Sequence, residues 1–209
     1  MPPPATTRNQ RERDLVEATR ALFDERGLQD APMDEIARSV GINKALIYRV
    51  FASKEELFVL TVTHYLDELR EAASDATDLR GALDHFTRFC LRYPAFLDCA
   101  LSLMRRQAAE LRERVSEGVW LRLGRSMAAC LAPLSAILAA DGVEDPDFAA
   151  NRLYTQVLGT MHLARLGAGV REAAPGVPDV FVIDPERLRA ACVEDALAIA
   201  GAGPAPLRG

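Results

Sequence analysis

The apolar residues of this chain recur mostly every three or four positions, which is the spacing of one face of an α-helix. In the first such segment, Leu15, Leu22 and Phe23 form a stripe that predicts a helix over residues 8–26, ended by Gly27. The same spacing predicts further helices over residues 32–40, 44–51, 54–76, 79–93, 94–106, 108–140, 146–166 and 185–200.

Several of these helices have clear end signals. An Asp followed by a Pro at residues 145–146 and again at 184–185 marks a helix start. Ser53 with Glu56 three residues later forms a capping box at the start of the helix predicted from residue 54. Pro133 is expected to kink or split the segment 108–140, because it lacks the N–H that an inner helical turn needs.

Strand signals are weak. The short apolar run 180–183 lies inside a segment rich in Gly and Pro and is interpreted as part of a loop. The chain is therefore predicted to be all-α, with residues 1–7 and 202–209 disordered. No uninterrupted apolar run approaches the 18 or so residues of a transmembrane helix, so no membrane association is expected.

The acidic net charge of −5 does not by itself suggest a nucleic-acid partner. The distribution of charge changes that picture, because residues 36–54 contain Arg38, Lys44, Arg49 and Lys54 and no acidic residue. A local basic run is often only a solvated helix face. Here it coincides with a second pattern, which favours a binding role.

That pattern spans residues 33–58 and has the form of a helix-turn-helix, a unit in which the second helix enters the major groove of DNA. Gly41 can adopt the left-handed conformation that ends the first helix, and Asn43 can cap the second. An apolar clamp is expected from Ile36, Ala37, Val40, Ile42, Leu46, Ile47 and Phe51. The residues left to face DNA are Lys44, Ala45, Tyr48 and Arg49.

These residues together resemble the DNA-binding region of tetracycline-repressor-type (TetR family) transcriptional regulators. The matching parts are Met33 to Ala37, Val40 to Ile42, Tyr48 to Phe51 and Lys54 to Leu57, and the resemblance covers about residues 10–65. It implies an N-terminal three-helix DNA-binding domain, residues 8–53, joined by a long helix to a C-terminal helical domain, residues 54–201, that binds an effector and dimerises.

The same resemblance implies the residues that contact DNA. Base or groove contacts are expected from Lys44, Ala45, Leu46, Tyr48 and Arg49, and phosphate anchoring from Asn43, Tyr48 and Lys54. The chain departs from the family pattern at three positions, with Pro32 in place of a Ser or Thr cap, Ala45 in place of Gly and Val50 in place of Tyr or His. These departures leave the operator sequence open.

The C-terminal part carries no arrangement typical of an enzyme. Its histidines are isolated, the four cysteines are scattered without a CxxC pair, and no nucleophile is paired with a base. We therefore expect no catalytic activity, no cofactor and no metal, and we interpret the cysteines as reduced core thiols of a cytoplasmic protein. An enzyme with a DNA-binding head is the least favoured alternative.

Two features of this part indicate its role. The helices over 146–166 and 185–200 are apolar on more than one face, so both are either covered on two sides within one subunit or paired with a second copy. The family resemblance implies a dimer interface there and favours the homodimer. Bulky and polar side chains beyond a minimal core are candidates to line a pocket for a small hydrophobic effector: His64, Phe86, Phe89, Tyr93, Met104, Trp120, Met127, Tyr154, Met161 and His162.

The resulting prediction is a homodimeric transcriptional repressor that leaves a palindromic operator when the effector binds. The alternative is a helix-turn-helix protein without a small-molecule ligand, which acts as an architectural factor or with a protein partner. A filled C-terminal core would favour that alternative.

Overall fold

The computed structural model describes residues 5–27 and 32–201, and the predicted, mostly helical fold is confirmed. Its elements are α1 (Ala5–Arg26), α2 (Met33–Ser39), α3 (Lys44–Val50), α4 (Lys54–Ala72), α5 (Leu79–Arg92), α6 (Pro94–Met104), α7 (Ala108–Arg114), α8 (Glu117–Ala140), α9 (Pro146–Leu166), β1 (Ala168–Ala174), β2 (Val177–Val182) and α10 (Pro185–Gly201). Helix α1 begins at Ala5, inside the segment predicted to be disordered, and residues 202–209 lie outside the described residues.

The described chain forms two compact units. Unit 1 contains the described residues up to Glu68 together with Asp98–Met127, and unit 2 contains Leu69–Leu97 together with the described residues from Ala128 onward. The boundary thus falls inside α4, α6 and α8, so that each of these helices has residues in both units.

In unit 1, the first three helices and the start of α4 share an apolar core. Its fully buried side chains include Leu15, Ile36, Ile47, Phe51 and Leu57.

A partly buried polar cluster accompanies this core and joins α1 to α4. Arg20 forms an ion pair with Glu68 and lies 4.5 Å from the ring of Tyr65. The Tyr65 hydroxyl donates a hydrogen bond of 2.7 Å to Asp24. Helix α1 is thereby fixed to α4.

The segment 108–140 is divided at a different place from the one predicted. The break between α7 and α8 lies at Val115, whose backbone is extended, and α8 continues through Pro133. Ser53 and Glu56 of α4 stabilise the break, because the Ser53 hydroxyl donates to the Arg114 carbonyl and Glu56 accepts from the Ser116 N–H. Pro133 is exposed, so water can solvate the carbonyl that its ring leaves unbonded.

In unit 2, α10 packs against both α5 and α9. Leu83, Leu153, Val157 and Cys192 are among the fully buried side chains of this core. Ion pairs between Arg80 and Glu194 and between Arg189 and Asp84 join α5 to α10 at the surface.

The segment after α9 corrects the loop prediction for the run at 180–183. Strands β1 and β2 pair antiparallel, with Ala168 opposite Val182 and Ala174 opposite Val177, around a turn in which Gly176 has a φ of 75°. Ile183 N–H donates to the Gly167 carbonyl and closes the base of this hairpin. The hairpin was not predicted because its apolar residues point into solvent rather than into a core.

Helix α8 also qualifies the expectation about apolar runs. It has 24 residues, and an 18-residue window with a mean hydropathy of 1.5 makes it long and apolar enough to cross a bilayer by length and composition. In the single chain, 17% of this window is buried. Because helices of soluble proteins also pass this test, the composition of α8 is weak evidence for a membrane.

Candidate nucleic-acid interface

Helix α2 ends as the sequence predicts. Gly41 has a φ of 70°, and its N–H donates to the Arg38 carbonyl while Ile42 N–H donates to the Ala37 carbonyl. This pair of bonds is a Schellman motif, which satisfies the last carbonyls of a helix and turns the chain sharply. The turn brings α3 against α2.

Helix α3 begins at the predicted cap. The Asn43 side chain accepts a hydrogen bond of 3.0 Å from Leu46 N–H. The amide oxygen of Asn43 is thus used to hold the helix, and its amide nitrogen is the atom that remains for a phosphate.

One side of α3 is buried and the other is open to solvent. Ile47 is 0% exposed and Phe51, which caps the helix, is 2% exposed, whereas Tyr48 is 48% exposed. The structure leaves the predicted contact residues Lys44, Ala45, Tyr48 and Arg49 exposed and half-buries Leu46. A rigid helix that presents small and hydrogen-bonding side chains is suited to the major groove.

The charges around α3 are not all positive. Lys44 pairs with Asp34 of α2, with 3.1 Å between Nζ and the carboxylate, and both side chains are largely exposed. A pair of this kind is weak in water, so a phosphate can compete with Asp34 for the lysine.

Lys54 is exposed at the first position of α4. Ser53 Oγ accepts from Glu56 N–H, as the predicted capping box requires, but the Glu56 carboxylate accepts from Ala52 N–H and Ser116 N–H rather than from Ser53. Glu56 is 5% exposed, and its carboxylate therefore stabilises the junction of α4 with α7 and α8. This role depends on a contact 60 residues away, which local sequence does not reveal.

The residues predicted to line an effector pocket are divided between the units. His64, Met104, Trp120 and Met127 belong to unit 1, and the other six belong to unit 2. His64 Nδ1 lies 3.2 Å from Arg20, Met104 is half exposed, and Trp120 borders a shallow groove with Arg112 and Glu113.

In unit 2, the aromatic members come together. Phe86 stacks on Tyr154 with ring centroids 5.3 Å apart, and Phe89 contacts both Tyr93 and Phe96 edge-on or tilted. Met161 is fully buried, and His162 Nδ1 is buried without a hydrogen-bond partner among the described residues.

A narrow apolar cleft in unit 2 reaches this aromatic group. Its cavity volume is only about 40 Å³, and it is lined by Leu69, Arg70, Ala73, Ala82, Phe86, Cys130, Leu131, Pro133, Leu134 and Tyr154. Burial raises the pKa of Tyr154, so its phenol stays protonated and can donate a hydrogen bond. Sequence reasoning found Phe86 and Tyr154 but not the small residues of α4, α5 and α8 beside them.

The described cysteines are all free. Burial raises the pKa of Cys192 to about 11 and raises that of Cys90 well above its ordinary value, so both are protonated, unreactive thiols at neutral pH. Among residues 5–27 and 32–201, no group of three or more His, Cys, Asp or Glu side chains is placed to hold a metal ion.

Comparison with known proteins finds a family model that matches this interface. Residues 15–60 match the model of bacterial regulatory proteins of the tetR family. The transcriptional activator FasR of Mycolicibacterium smegmatis is 36% identical over 90 residues, which cover 39% of this chain and 41% of FasR. The match to this relative thus spans less than half of either protein.

Solved structures share the fold over nearly the whole chain. A transcriptional regulator from Rhodococcus sp. Rha1 superposes with a TM-score of 0.61 and 21% identity, covering 91% of this chain and 96% of that one. RolR, solved in complex with resorcinol, superposes with a TM-score of 0.59 and 17% identity over 98% of both chains. At such identities, the likeness concerns the fold alone.

Proposed function

Because the helix-turn-helix region of this chain belongs to the tetR family of bacterial regulators, we propose that the protein is a homodimeric, cytoplasmic transcriptional regulator without catalytic activity. It represses by binding a palindromic operator and is released by a small hydrophobic effector. The observation that carries this proposal is the geometry of α3, which buries Ile47 and exposes Lys44, Ala45, Tyr48 and Arg49.

The proposed roles on DNA follow from the chemistry of each side chain. Lys44 and Arg49 donate to guanine or to phosphate, and the Ala45 methyl contacts a thymine methyl. Asn43, Tyr48 and Lys54 hold phosphates, Lys54 with the help of the positive end of the α4 dipole. Leu46, half-buried, packs at the edge of the groove.

The dimer is proposed to form through α9 and α10. The outward face of α9 carries the exposed apolar side chains Phe148, Leu163 and Leu166, with Gly159 between them, and α10 exposes Ala191 and Ala198. Small residues between large ones allow close helix packing. Two-fold symmetry would place two recognition helices about 34–36 Å apart, one turn of DNA.

The effector is proposed to enter the cleft beside Phe86 and Tyr154. The cleft has an apolar wall with a neutral phenol as a hydrogen-bond donor, which suits a small aromatic or hydrophobic molecule. RolR, with the same fold, holds resorcinol. An effector that binds the DNA-incompetent conformation better by about 1–3 kcal/mol would release DNA, with α4 as the proposed lever.

The test is binding of the purified protein to a duplex from the region upstream of its own coding sequence, measured by fluorescence anisotropy. Lys44→Ala and Tyr48→Ala should each weaken binding about tenfold or more, because each removes a contact worth about 1–3 kcal/mol. Arg92→Ala, which removes an exposed cation from unit 2, is the matched control and should leave affinity unchanged. Undiminished binding by both α3 variants would exclude this interface.

A further inference from the structure

The hairpin formed by β1 and β2 is largely exposed. Val170, Val180 and Val182 are 73%, 67% and 86% exposed. A two-stranded hairpin with bare valines is at best marginally stable by itself in water. Within the part of the chain that the structure describes, this hairpin therefore presents apolar surface that a partner can cover.

One face of the hairpin is partly covered by contacts among its own residues. The Phe181 ring lies over Gly169 on the opposite strand and occupies the place of a Cβ, so any side chain at 169 would displace it. Arg171 covers the outer side of this ring at 5.8 Å from its centroid and forms an ion pair of 2.7 Å with Asp179. Phe181 and Val177 remain 39% and 53% exposed here, but the ion pair of Arg171 with Asp179 makes this face partly polar.

The opposite face is apolar, and nothing among residues 5–27 and 32–201 covers it. Alternation and register place Val170 and Val180 opposite each other, with Val182 beside them, and we call these three residues the valine face. Glu172 also belongs to this side, but its carboxylate turns away to accept a hydrogen bond of 2.6 Å from Gly176 N–H.

Charge and size decide which occupant fits the valine face. The hairpin carries Arg171 against Glu172 and Asp179, so it has no positive charge to attract DNA or an anionic lipid surface. A stable protein interface needs about 800 Å² from each partner, which three valines cannot supply. The valine face must therefore extend a larger interface made by neighbouring elements.

The neighbouring elements are α9 and α10, because the hairpin connects them directly. Leu163 and Leu166, in the last turns of α9 before the hairpin, are also exposed. Their apolar surface leads from the proposed dimer face to the base of the hairpin. The same partner would thus cover both.

We propose that the valine face packs on a second copy of this chain, so that each hairpin is an arm that reaches over the partner subunit. The proposal rests on the homodimer proposed above. A two-fold axis across α9 makes the paired α9 helices antiparallel, which brings the hairpin of one subunit to the first turn of the partner's α9. That turn presents Phe148, 59% exposed in the single chain, as the surface on which the valine face rests.

The chain offers a matched pair of positions for the test. Val177 lies on the same strand as Val180 and is also exposed, but alternation places it on the opposite face with Phe181. Val180→Asp should raise the dimer dissociation constant about a hundredfold, roughly tenfold for each of its two copies, whereas Val177→Asp should change it less than twofold. Sedimentation equilibrium of the full chain measures both constants.

A second measurement does not depend on destabilising the dimer. Benzoylphenylalanine at position 180 should cross-link two chains on illumination, and the same group at position 177 should not. Mapping the cross-linked peptide should identify the first turn of α9. A wild-type chain that stays monomeric would overturn both the homodimer and the arm. A stable dimer with equal constants and equal cross-linking for positions 177 and 180 would overturn the arm alone.

Discussion

Helix α3 and the β1–β2 hairpin both present side chains to solvent, but with opposite chemistry. In α3 a polar, cationic surface rests on a buried apolar side chain, Ile47. In the hairpin the polar groups Arg171 and Asp179 pair with each other, and valines are left outside. The first arrangement fits a polyanion, whereas the second fits an apolar protein surface.

The difference shows that exposure alone does not identify an interface. It must also be known which exposed polar groups already have a partner within the same segment. Lys44 has only a weak surface partner, Asp34, which a phosphate can replace. Glu172, in contrast, is bonded to the turn of its own hairpin. Helix α3 therefore has cationic groups that can bind a phosphate, whereas the hairpin has exposed valines that can contact an apolar protein surface.

The largest expected effect separates scaffold from contact within α3. Ile47→Ala should lower the free energy of unfolding by about 3 kcal/mol, because it leaves a cavity in the core of unit 1. Tyr48→Ala, one residue further along, should change it by less than about 0.5 kcal/mol and still weaken DNA binding. Urea denaturation at one fixed protein concentration measures both variants. Equal losses of stability would mean that Tyr48 belongs to the core.

The next effect concerns how firmly the DNA-binding unit is held. Glu56→Ala should cost about 2 kcal/mol of stability, because the Ala52 and Ser116 N–H groups lose their common acceptor. Glu55→Ala removes the neighbouring carboxylate, which pairs with the exposed Arg114, and should cost less than about 1 kcal/mol. If the two variants unfold at the same urea concentration, the junction does not depend on Glu56.

A smaller effect should appear in the salt dependence of DNA binding. Lys54→Ala should flatten the plot of log affinity against log salt by about one unit and weaken binding to all sequences alike. Asp34→Asn should steepen it and raise affinity several-fold, because Lys44 no longer has a competing carboxylate. Fluorescence anisotropy titrations at salt concentrations between about 50 and 200 mM measure the slope for each variant. If both variants change the slope in the same direction, the roles assigned to Lys54 and Asp34 are contradicted.

The smallest effect compares one glycine from each region. Neither Gly41 nor Gly159 has a neighbouring atom within 4 Å of a built Cβ, so backbone conformation decides the outcome. Gly41→Ala should destabilise by about 1 kcal/mol because its φ is 70°, whereas Gly159→Ala, inside helix α9, should stabilise the monomer by about 0.5–1 kcal/mol. Thermal unfolding at a low, fixed concentration should show opposite shifts. A loss at both positions would mean that residue 159 is crowded.

The helix-turn-helix was predictable because each feature that defines it depends on residues that are close in sequence. Gly41 and Asn43 specify the turn within three residues, and Ile47 follows from helical spacing. The break at Val115 was not predictable, because it depends on Ser53 and Glu56 about 60 residues earlier.

The hairpin was missed for a different reason. Its alternating valines point outward, so a rule that assigns apolar residues to a core of the same chain treats the segment as a loop. Of the residues that line the cleft, the sequence singled out only the large side chains Phe86 and Tyr154. The small residues that create its space, Ala73 and Ala82, leave no mark in a hydrophobic pattern.

The contact between Glu56 and Ser116 also sets an order of events during synthesis. A ribosome makes α1 to α4 well before residue 116, and the nascent chain at that stage leaves a buried carboxylate with one of its two backbone donors missing. The recognition helix is therefore complete in sequence long before its support is complete. The helix-turn-helix region reaches its final form only after residue 116 has been translated.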